Sequence, residues 1–421
     1  MYNNGDFFRT TCSGGFEIFI KKPLGDYYEF KGVVKFSYST LGIITSFWYH
    51  LQVLLGFDGY HTSFVYYTLV ALFFSPLIVA INKEKSPQNY LAVASFFLLY
   101  LLYGFYFRSF YEEAAVLAFA PLLYMGVLEL QKERYFAFSF ASFFIILSKI
   151  QMIFIAPMLI GILLFFSDAS LKKTKINFII LVIIAASFLS ISRADIGLKE
   201  ANQYNRYYNG IGWSLQKVYQ WDLQSIDQWP DNTFMARKTY FYRYQNLVQQ
   251  STQLYGEPLL GTTYWPTFYD ASEKAKSQNE NLDNSRDLTT MLSNSSFEKY
   301  LSFFAQNPYV IIAYIKNIFA MTLISDYSLS YYIQSHRSFF YFIFTLSTNA
   351  LRFAGYAYFA FFALILLNKP HKWSYFLVSY YFLGAPIFTV MGDGFYEFEK
   401  HMNSYLILLP VVVYLGLSKK K

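Results

Sequence analysis

The chain has 421 residues, of which 55% are hydrophobic and 14% are charged, and its formal net charge is +7. The charged share is about half that of an ordinary soluble domain, which excludes a soluble globular protein and indicates a membrane protein. The basic residues are not interleaved with aromatic ones in the way that nucleic-acid binding requires, so nucleic acid is not an expected partner. The single cysteine excludes a disulfide framework and a cysteine-rich metal site.

The first predicted element is an extracytoplasmic segment, residues 1–60, in which the amphipathic stretch Leu41–Phe57 is expected to lie in the membrane interface as a helix. Further along, residues 192–338 are rich in Asn, Gln and charged side chains, which predicts a small extracytoplasmic loop domain. Its apolar stretch Pro308–Ser325 is predicted to be a second interfacial helix, because a crossing there would reverse the helix that follows.

The predicted fold is an all-α polytopic membrane protein with about nine transmembrane helices in residues 61–191 and 339–421, where long apolar runs can satisfy their own backbone hydrogen bonds in lipid. The predicted spans are His61–Ile81, Tyr90–Phe107, Glu113–Leu130, Tyr135–Leu147, Gln151–Phe166, Ile176–Ile191, Leu351–Leu367, Trp373–Met391 and Asn403–Leu417. The fourth and fifth are short. They predict either a helical hairpin that turns at Lys149 or a crossing where the bilayer is thinned.

Basic residues are concentrated in alternate connectors, and this bias predicts the orientation. Five connectors hold twelve of them, at Lys83, Lys85, Lys132, Arg134, Lys172, Lys173, Lys175, Lys369, Lys372, Lys419, Lys420 and Lys421. The other connectors hold three, Arg108, Lys149 and Lys400. The five basic connectors are therefore expected to face the cytoplasm, and the other helix ends are expected to face the outside of a cytoplasmic membrane.

The first predicted span does not follow this bias. Five basic residues precede it and two follow it closely, which is the reverse of the pattern for an outside amino terminus. We expect a further transmembrane helix upstream of Met1, because the sequence shows no signal peptide that would carry the first segment across. Translocation of the amino-terminal segment without such a helix is the alternative.

Charged residues predicted at the outer helix ends are the candidate site, because charge at membrane depth is costly and calls for a reason. The candidates are Asp6 and Arg9 in NNGDFFR, Glu112 and Glu113 in FYEEA, Lys149 with Gln151 in SKIQ, and Glu397, Lys400 and His401 in GDGFYEFEKH. Structural interpretations stay open: an Asx turn for Asp6, a helix amino terminus for the two glutamates, and contact with lipid headgroups for Lys149.

Carboxylates near cations at a membrane surface suit the transfer of a sugar from a polyprenyl-phosphate donor. A cation balances the charge of the leaving phosphate, and a carboxylate deprotonates the acceptor hydroxyl as it attacks the anomeric carbon. This reaction needs no nucleotide cofactor, and the sequence has no Walker loop, GxGxxG turn or HExxH pattern. The participation of a divalent cation stays open. The numerous aromatic residues, 40 Tyr and 47 Phe, form either interfacial belts or, for some, stacking surfaces for sugar rings.

Short motifs are spread over most of the chain: NNGDFFR, FYEEAAVLAF, SKIQ, NRYYNGIGW, LGTTYWP, FFAQNPYVIIAYI and GDGFYEFEKH. Together they resemble bacterial membrane glycosyltransferases of the GT-C superfamily, particularly the hexose-transferase-like group of cell-surface glycan assembly. The resemblance implies a helical bundle with interfacial helices, a polyprenyl-phosphate-linked sugar as donor, and Asp6 at the position of the acidic residue in the first outer loop. Similar proteins tend to have Arg before the late His, where this chain has Lys400 before His401 and so lacks a bidentate phosphate ligand.

The leading hypothesis is an inverting glycosyltransferase that acts on a glycan or lipid-linked acceptor. Asp6 is the predicted base, and Glu112 or Glu113 assists it or binds a metal. The predicted substrate-binding residues are Arg9, Lys149, Gln151, Tyr207, Trp213, Tyr264, Glu397, Lys400 and His401.

Alternative functions stay open. An O-antigen or capsule polymerase or ligase also uses lipid-linked sugars from outside, but such enzymes usually rely on outer-loop arginines, which are few here. A transporter or flippase would place charges along a midplane path and often shows inverted repeats, and neither pattern is visible. A scaffold of glycan assembly is the remaining alternative.

Overall fold

The computed structural model describes the backbone of residues 14–19 and 27–36, and then residues 39–108, 112–130, 132, 134–166, 173–192, 372–393 and 398–417, with isolated helical positions between 304 and 316 and between 362 and 367. The side chains of 102, 105, 108, 166, 173, 372, 373, 392, 393 and 398–400 are not part of this description. The described part of the chain is 90% helical.

The helices are α1 Thr40–Leu54, α2 Ser63–Lys83, α3 Pro87–Tyr103, α4 Glu113–Leu130, α5 Phe136–Ser148, α6 Ala156–Phe166, α7 Lys173–Ser192, α8 Lys372–Asp393, α9 Phe398–Leu406 and α10 Leu409–Leu417. Short 3-10 helices, Gly104–Arg108 and Ile150–Ile155, follow α3 and precede α6. Among the helices that the structure describes, four, α2, α4, α7 and α8, are long and apolar enough to cross a membrane. This agrees with the predicted helical membrane protein, while the number of nine spans stays a prediction.

The last predicted span, Asn403–Leu417, is divided between α9 and α10. The break is a turn in which Leu408 N donates to Tyr405 O at 2.9 Å. Pro410, the second residue of α10, has no N–H to continue the ladder from α9, which explains why the helix starts anew there. The span predicted at Leu351–Leu367 lies almost entirely outside the described residues.

Helix α1 is the helix predicted at Leu41–Phe57. Ser39 caps its amino terminus, because the Ser39 Oγ accepts from Gly42 N at 2.9 Å. Beyond its last residue, Leu54, Gly56 has a φ of +74°, which allows Phe57 N to donate to Gln52 O at 3.0 Å. Its buried face carries polar side chains such as Gln52, whereas its exposed face is apolar except for His50 and includes Leu54 at 81% exposure. An apolar outer face is expected of a helix that contacts lipid.

A small antiparallel sheet that the sequence analysis did not predict precedes α2. Strand β1 is Gly14–Phe19, β2 is Tyr27–Phe36 and β3 is Tyr60–His61, in the order β1-β2-β3. Gly14 lies opposite Phe36 at one end of the first pair, and the register shifts twice before Phe19 lies opposite Glu29. Part of the segment predicted only as extracytoplasmic is therefore a hairpin that pairs with the residues leading into α2.

The chain divides into two compact units. The first unit comprises Met1–Ala194, Ala357–Ala385 and Asn403–Lys421, and the second comprises Asp195–Tyr356 and Pro386–Met402. In the described part of the second unit, Thr389 is fully buried and its Oγ1 lies 3.5 Å from Met402 Sδ. The candidate site described below belongs to the first unit.

Helix α4 forms the centre of the first unit, because nearly all of its residues are buried. It packs against α2 and α5. The contact with α5 is close at Gly126, where a Cβ atom would lie 2.5 Å from Phe138 N. Small residues that let two backbones approach in this way are typical of helix pairs in membranes. Helix α7 lies at the periphery of the first unit, where Phe178 is 64% exposed and Phe188 is 70% exposed.

Helix ends that carry basic connectors meet at one end of the first unit, which we call the basic end. Lys83 at the end of α2 pairs with Glu129 near the end of α4. Arg134, just before α5, lies 3.8 Å from the same carboxylate. Lys175 in α7 lies 5.7 Å from the centre of the Tyr135 ring. These contacts gather four helix ends in one place, and the other ends of the same helices form the opposite end.

A buried polar network attaches α3 and α10 to the basic end. Asn89 in α3 is fully buried; it accepts from Tyr124 OH at 2.6 Å and donates to Ala80 O and Glu84 O at 3.1 and 2.5 Å. Tyr414 OH in α10 lies 3.3 Å from both carboxylate oxygens of Glu84. Asn89 is thus satisfied by the protein itself, as a buried structural amide should be.

Candidate functional site

Glu113 and Lys149 form a buried ion pair at the end of the first unit opposite the basic end. Lys149 Nζ donates to Glu113 Oε1 at 2.5 Å. The Glu113 side chain has no exposed surface, and the Lys149 side chain is 12% exposed. The other carboxylate oxygen, Oε2, accepts no hydrogen bond from any residue that the structure describes. The pair therefore combines two charges shielded from water with one unsatisfied carboxylate oxygen.

Local backbone structure places each partner. Ala115 N and Val116 N donate to Glu112 O at 3.0 and 3.3 Å, so Glu112 precedes the helix and Glu113 is its first residue. A carboxylate is favoured there by the helix dipole. Lys149 has an extended backbone, with φ −145° and ψ 139°, between α5 and the 3-10 helix Ile150–Ile155. This extended residue separates the two short helical segments at the position predicted for a turn.

Glu112 has a different environment from its neighbour. It is half-buried, and its Oε2 accepts from Leu41 N, in the first turn of α1, at 3.4 Å. Thr40 Oγ1 attaches the same helix end to α5 by donating to Phe144 O at 2.5 Å. Glu112 therefore stabilises the amino terminus of α1, while Glu113 faces the lysine. The sequence left the two glutamates equivalent, and the structure distinguishes them.

Helix lengths give the distance of the pair from the basic end. Helix α5 has 13 residues, so Lys149 lies about 20 Å from its start at a rise of about 1.5 Å per residue. Helix α4 has 18 residues, so Glu113 lies about 25 Å from its end at Leu130. The ion pair is thus about 20 to 25 Å from the basic end.

Tyrosine hydroxyls attach α8 and α9 to the segment that carries Lys149. Tyr405 OH donates to Gln151 O at 3.0 Å, and Tyr381 OH donates in turn to Tyr405 O. Tyr380 OH donates to Phe154 O at 2.6 Å. Gln151 itself is buried, at 4% exposure. Gln151, a predicted site residue two positions after Lys149, therefore lies in the segment to which α8 and α9 are attached.

The sequence analysis missed two more tyrosines, Tyr103 at the end of α3 and Tyr106 in the 3-10 helix that follows. Asn403 Nδ2 donates to Tyr106 OH at 3.0 Å. The rings of Tyr103 and Tyr106 are nearly parallel, with an interplanar angle of 12° and a centroid distance of 6.1 Å. The sequence signal for them was that Tyr103 and Tyr106 lie three positions apart near the end of an apolar run. Such a spacing is not informative in a chain with 40 Tyr.

Other predicted site residues are not placed by the structure. Asp6, Arg9, Tyr207, Trp213, Tyr264 and Glu397 lie outside the described residues, and Lys400 is described as helical without its side chain. His401 is buried, at 8% exposure, in the part of α9 that belongs to the second unit. Their predicted roles stay predictions.

A divalent cation does not fit the ion pair. In the part of the chain that the structure describes, no three His, Cys, Asp or Glu side chains are grouped as metal ligands. Glu113 Oε1 is already bonded to an ammonium, which would repel a cation at the same carboxylate. We therefore assign no metal-dependent step to these residues.

Comparison of the chain with known protein families, with curated proteins and with solved structures finds no match.

Proposed function

We propose that the chain is an inverting membrane glycosyltransferase that moves a sugar from a polyprenyl-phosphate donor to a glycan or lipid-linked acceptor at the outer face of the cytoplasmic membrane. The proposal joins the resemblance of the short motifs to one observation, the buried pair of Glu113 and Lys149. It includes Asp6 as the base, which rests on the resemblance alone.

The position of the pair supports this proposal. If the basic end lies at the cytoplasmic surface, as the positive-inside rule requires, a hydrocarbon core of about 30 Å places the pair about 5 to 10 Å below the outer surface. The phosphate of a polyprenyl phosphate meets its chain at that surface, so it would lie about 5 to 10 Å from the pair. Stability alone does not account for the pair, because apolar residues of similar volume are often as stable as a buried ion pair, or more stable.

The two side chains suit different tasks in the reaction. An ammonium donates up to three hydrogen bonds, so Lys149 can hold a phosphate oxygen while it remains bonded to Glu113. The positive charge lowers the energy of the phosphate as it leaves the anomeric carbon. Glu113 fixes the position of the ammonium, and its Oε2 offers an acceptor to a substrate hydroxyl. Glu113 is therefore assigned to positioning and binding, with Asp6 kept as the base.

The distribution of charge weighs against a transporter. Within the described helices α2 to α7, ionisable Asp, Glu, Lys and Arg residues lie at helix ends, at Lys83, Glu113, Glu129, Lys173 and Lys175. A transporter of charged substrates or ions usually has such groups near the middle of the membrane. A reaction on a lipid headgroup at the membrane surface needs ionisable groups at the ends of the helices.

The proposed function is tested by measuring sugar transfer in membranes that contain the full chain. Labelled polyprenyl-phosphate sugars are supplied singly, and label in glycan or lipid-linked products is counted. We expect transfer from one of these donors by the unchanged chain, and Lys149→Gln to raise the KM for that donor at least tenfold. Absence of transfer from every donor would overturn the proposal.

A matched control separates the loss of chemistry from the loss of structure. Lys83→Gln with Glu129→Gln removes the ion pair of the basic end and is expected to retain transfer. Lys149→Arg keeps the charge and should retain more transfer than Lys149→Gln. If Lys149→Gln is as active as the unchanged chain, Lys149 does not bind the phosphate. That result would not exclude the proposed glycosyltransferase activity.

A further inference from the structure

The amino terminus of α1 contacts both of the helix ends that carry the buried ion pair. Leu41 N, in the first turn of α1, donates to Glu112 Oε2 at 3.4 Å, and Glu112 directly precedes Glu113. The first N–H groups of a helix have no partner within the helix, so a carboxylate at this position is favoured. Thr40 Oγ1 donates to Phe144 O of α5 at 2.5 Å. Two consecutive residues of α1 therefore bridge α4 and α5.

The contact of α1 with α5 lies beside the residue that precedes Lys149. Phe144 O accepts from Ser148 Oγ at 2.7 Å as well as from Thr40 Oγ1, so two hydroxyl groups meet at one carbonyl oxygen. Ser148 is the last residue of α5, and both Thr40 and Ser148 are fully buried. The amino terminus of α1 thus lies beside the residue that precedes each partner of the ion pair.

The carboxyl-terminal half of α1 is attached to other elements. Trp48 Nε1 donates to Thr68 Oγ1 of α2 at 2.9 Å. Gln52 Nε2 donates to His61 O at 3.1 Å, and Gln52 Oε1 accepts from His61 N at 2.7 Å. Trp48 follows Thr40 by about 12 Å along the helix axis. These hydrogen bonds therefore fall into two groups, one at α4 and α5 and the other at β3 and α2.

We propose that the amino terminus of α1 is a clasp that holds the ends of α4 and α5 together and so keeps Glu113 and Lys149 paired and shielded. The clasp consists of Thr40 with Phe144 O and Leu41 N with Glu112. Lys149 needs such support because its backbone is extended beyond the end of α5. A buried ion pair is favourable only in good geometry, so the chain segments that carry it have to be fixed.

Thr40 and Glu112 are, on this inference, positioning residues of the candidate site, because each acts through the helix end that it joins to α1. The inference concerns how the ion pair is held and does not depend on the reaction proposed for it.

The test measures how fast Lys149 is acetylated by acetic anhydride in the full chain in detergent, with each modified lysine identified by peptide mass spectrometry. Burial and the bond to Glu113 protect Lys149, so its acetylation follows the population in which the pair has opened. Lys83 is the internal reference, since it belongs to the ion pair of the basic end and its side chain is 33% exposed.

The variants remove one attachment of α1 at a time. Thr40→Val deletes the hydroxyl and leaves no buried acceptor unpaired, because Phe144 O still accepts from Ser148 Oγ. Thr40→Ser retains the hydroxyl. Thr68→Val is the matched control, because it breaks the hydrogen bond of Trp48 and so weakens the attachment of α1 to α2.

We expect Thr40→Val to speed the acetylation of Lys149 about fivefold, the effect of one lost hydrogen bond on the population of the open state. Glu112→Ala, which removes the acceptor of Leu41 N, should act in the same direction. Thr40→Ser and Thr68→Val should leave the rate at Lys149 unchanged, and Lys83 should react equally fast in every variant. General loosening of the protein would not produce an effect confined to Lys149.

Three results would overturn the inference. If Thr40→Val leaves the rate at Lys149 unchanged, α1 does not hold the pair. If Thr68→Val speeds Lys149 equally, the pair is protected by α1 as a whole and not by its amino terminus. If Lys83 speeds up in parallel with Lys149, Thr40 stabilises the whole unit and not the pair. Because the readout is the reactivity of single lysines, each result stands whether or not the chain transfers sugar.

Discussion

Removing one partner of the Glu113–Lys149 pair tests the environment on which the proposed site depends. Lys149→Met takes away the ammonium and leaves the Glu113 carboxylate buried without a counter-charge. Breaking a buried pair in this way costs about 3 to 5 kcal/mol. That is a change of more than about a hundredfold in the folding equilibrium, since about 1.4 kcal/mol corresponds to a factor of ten.

The double variant, Glu113→Leu with Lys149→Met, is expected to behave in the opposite way. It removes both charges together with the unsatisfied Oε2 of Glu113, so its stability should equal that of the unchanged chain or exceed it by about 1 to 4 kcal/mol. Its KM for the sugar donor should nevertheless rise at least tenfold, as for Lys149→Gln. A pair that can be replaced without loss of stability but not without loss of activity is retained for function.

The ion pair at the basic end is the internal standard. The Lys83 side chain is 33% exposed, and Glu129 keeps a second cation, Arg134, at 3.8 Å. Lys83→Met should therefore cost only about 1 kcal/mol. All variants are compared by reversible unfolding in mixed detergent micelles. A cost below about 1 kcal/mol for Lys149→Met would mean that the pair is hydrated, and the assignment of a buried site would be wrong.

Three further predictions test the surroundings. Glu112→Gln weakens the interaction with the amino terminus of α1 and should cost about 0.3 to 1 kcal/mol in unfolding without abolishing transfer; a complete loss of transfer would assign Glu112 to the chemistry. Gly126→Ala should destabilise by about 1 to 3 kcal/mol because its Cβ would meet the backbone of α5, whereas Gly161→Ala meets the movable Leu377 side chain and should cost less; equal unfolding costs would contradict the close packing of α4 on α5. In a Cys12→Ser chain, Lys132→Cys should react with a membrane-impermeant maleimide from the cytoplasmic side, and labelling of intact cells would reverse the orientation.

The helices could be predicted from the sequence because a long apolar run has few other stable structures in lipid. Their ends depend on contacts that a hydropathy pattern does not contain. The predicted span Tyr90–Phe107 is helical to Tyr103 and then tightens into a 3-10 helix. The pairing of β1 with β2 was missed although Phe16, Ile18, Phe30 and Val33 recur at short spacing on either side of the sequence Pro-Leu-Gly-Asp. In a chain dominated by apolar helices, such short strands carry a weak signal.

The pairing of Glu113 with Lys149 could not be predicted, although both residues were singled out. It depends on the register of α4 and α5, which is fixed where Gly126 meets Phe138. Glu113 lies thirteen residues before Gly126 and Lys149 eleven after Phe138, so antiparallel packing at this register brings them together. Charge at a helix end is visible in the sequence, whereas the partner that neutralises it follows from helix packing.

Asn89 at the basic end and Glu113 at the opposite end differ in how far the protein satisfies their buried polar atoms, and this difference bears on the proposed function. At the basic end, fully buried Asn89 bonds to Tyr124, Ala80 O and Glu84 O, as a group kept for stability should. At the opposite end, Glu113 Oε2 and Tyr103 OH make no hydrogen bond within the described part of the chain. Folding alone gains nothing from burying such atoms unsatisfied, because apolar replacements were available at each position. A carboxylate oxygen that is costly to the free protein and can accept from a ligand hydroxyl suits a binding site, which is why we propose the chemistry at the end that holds Glu113.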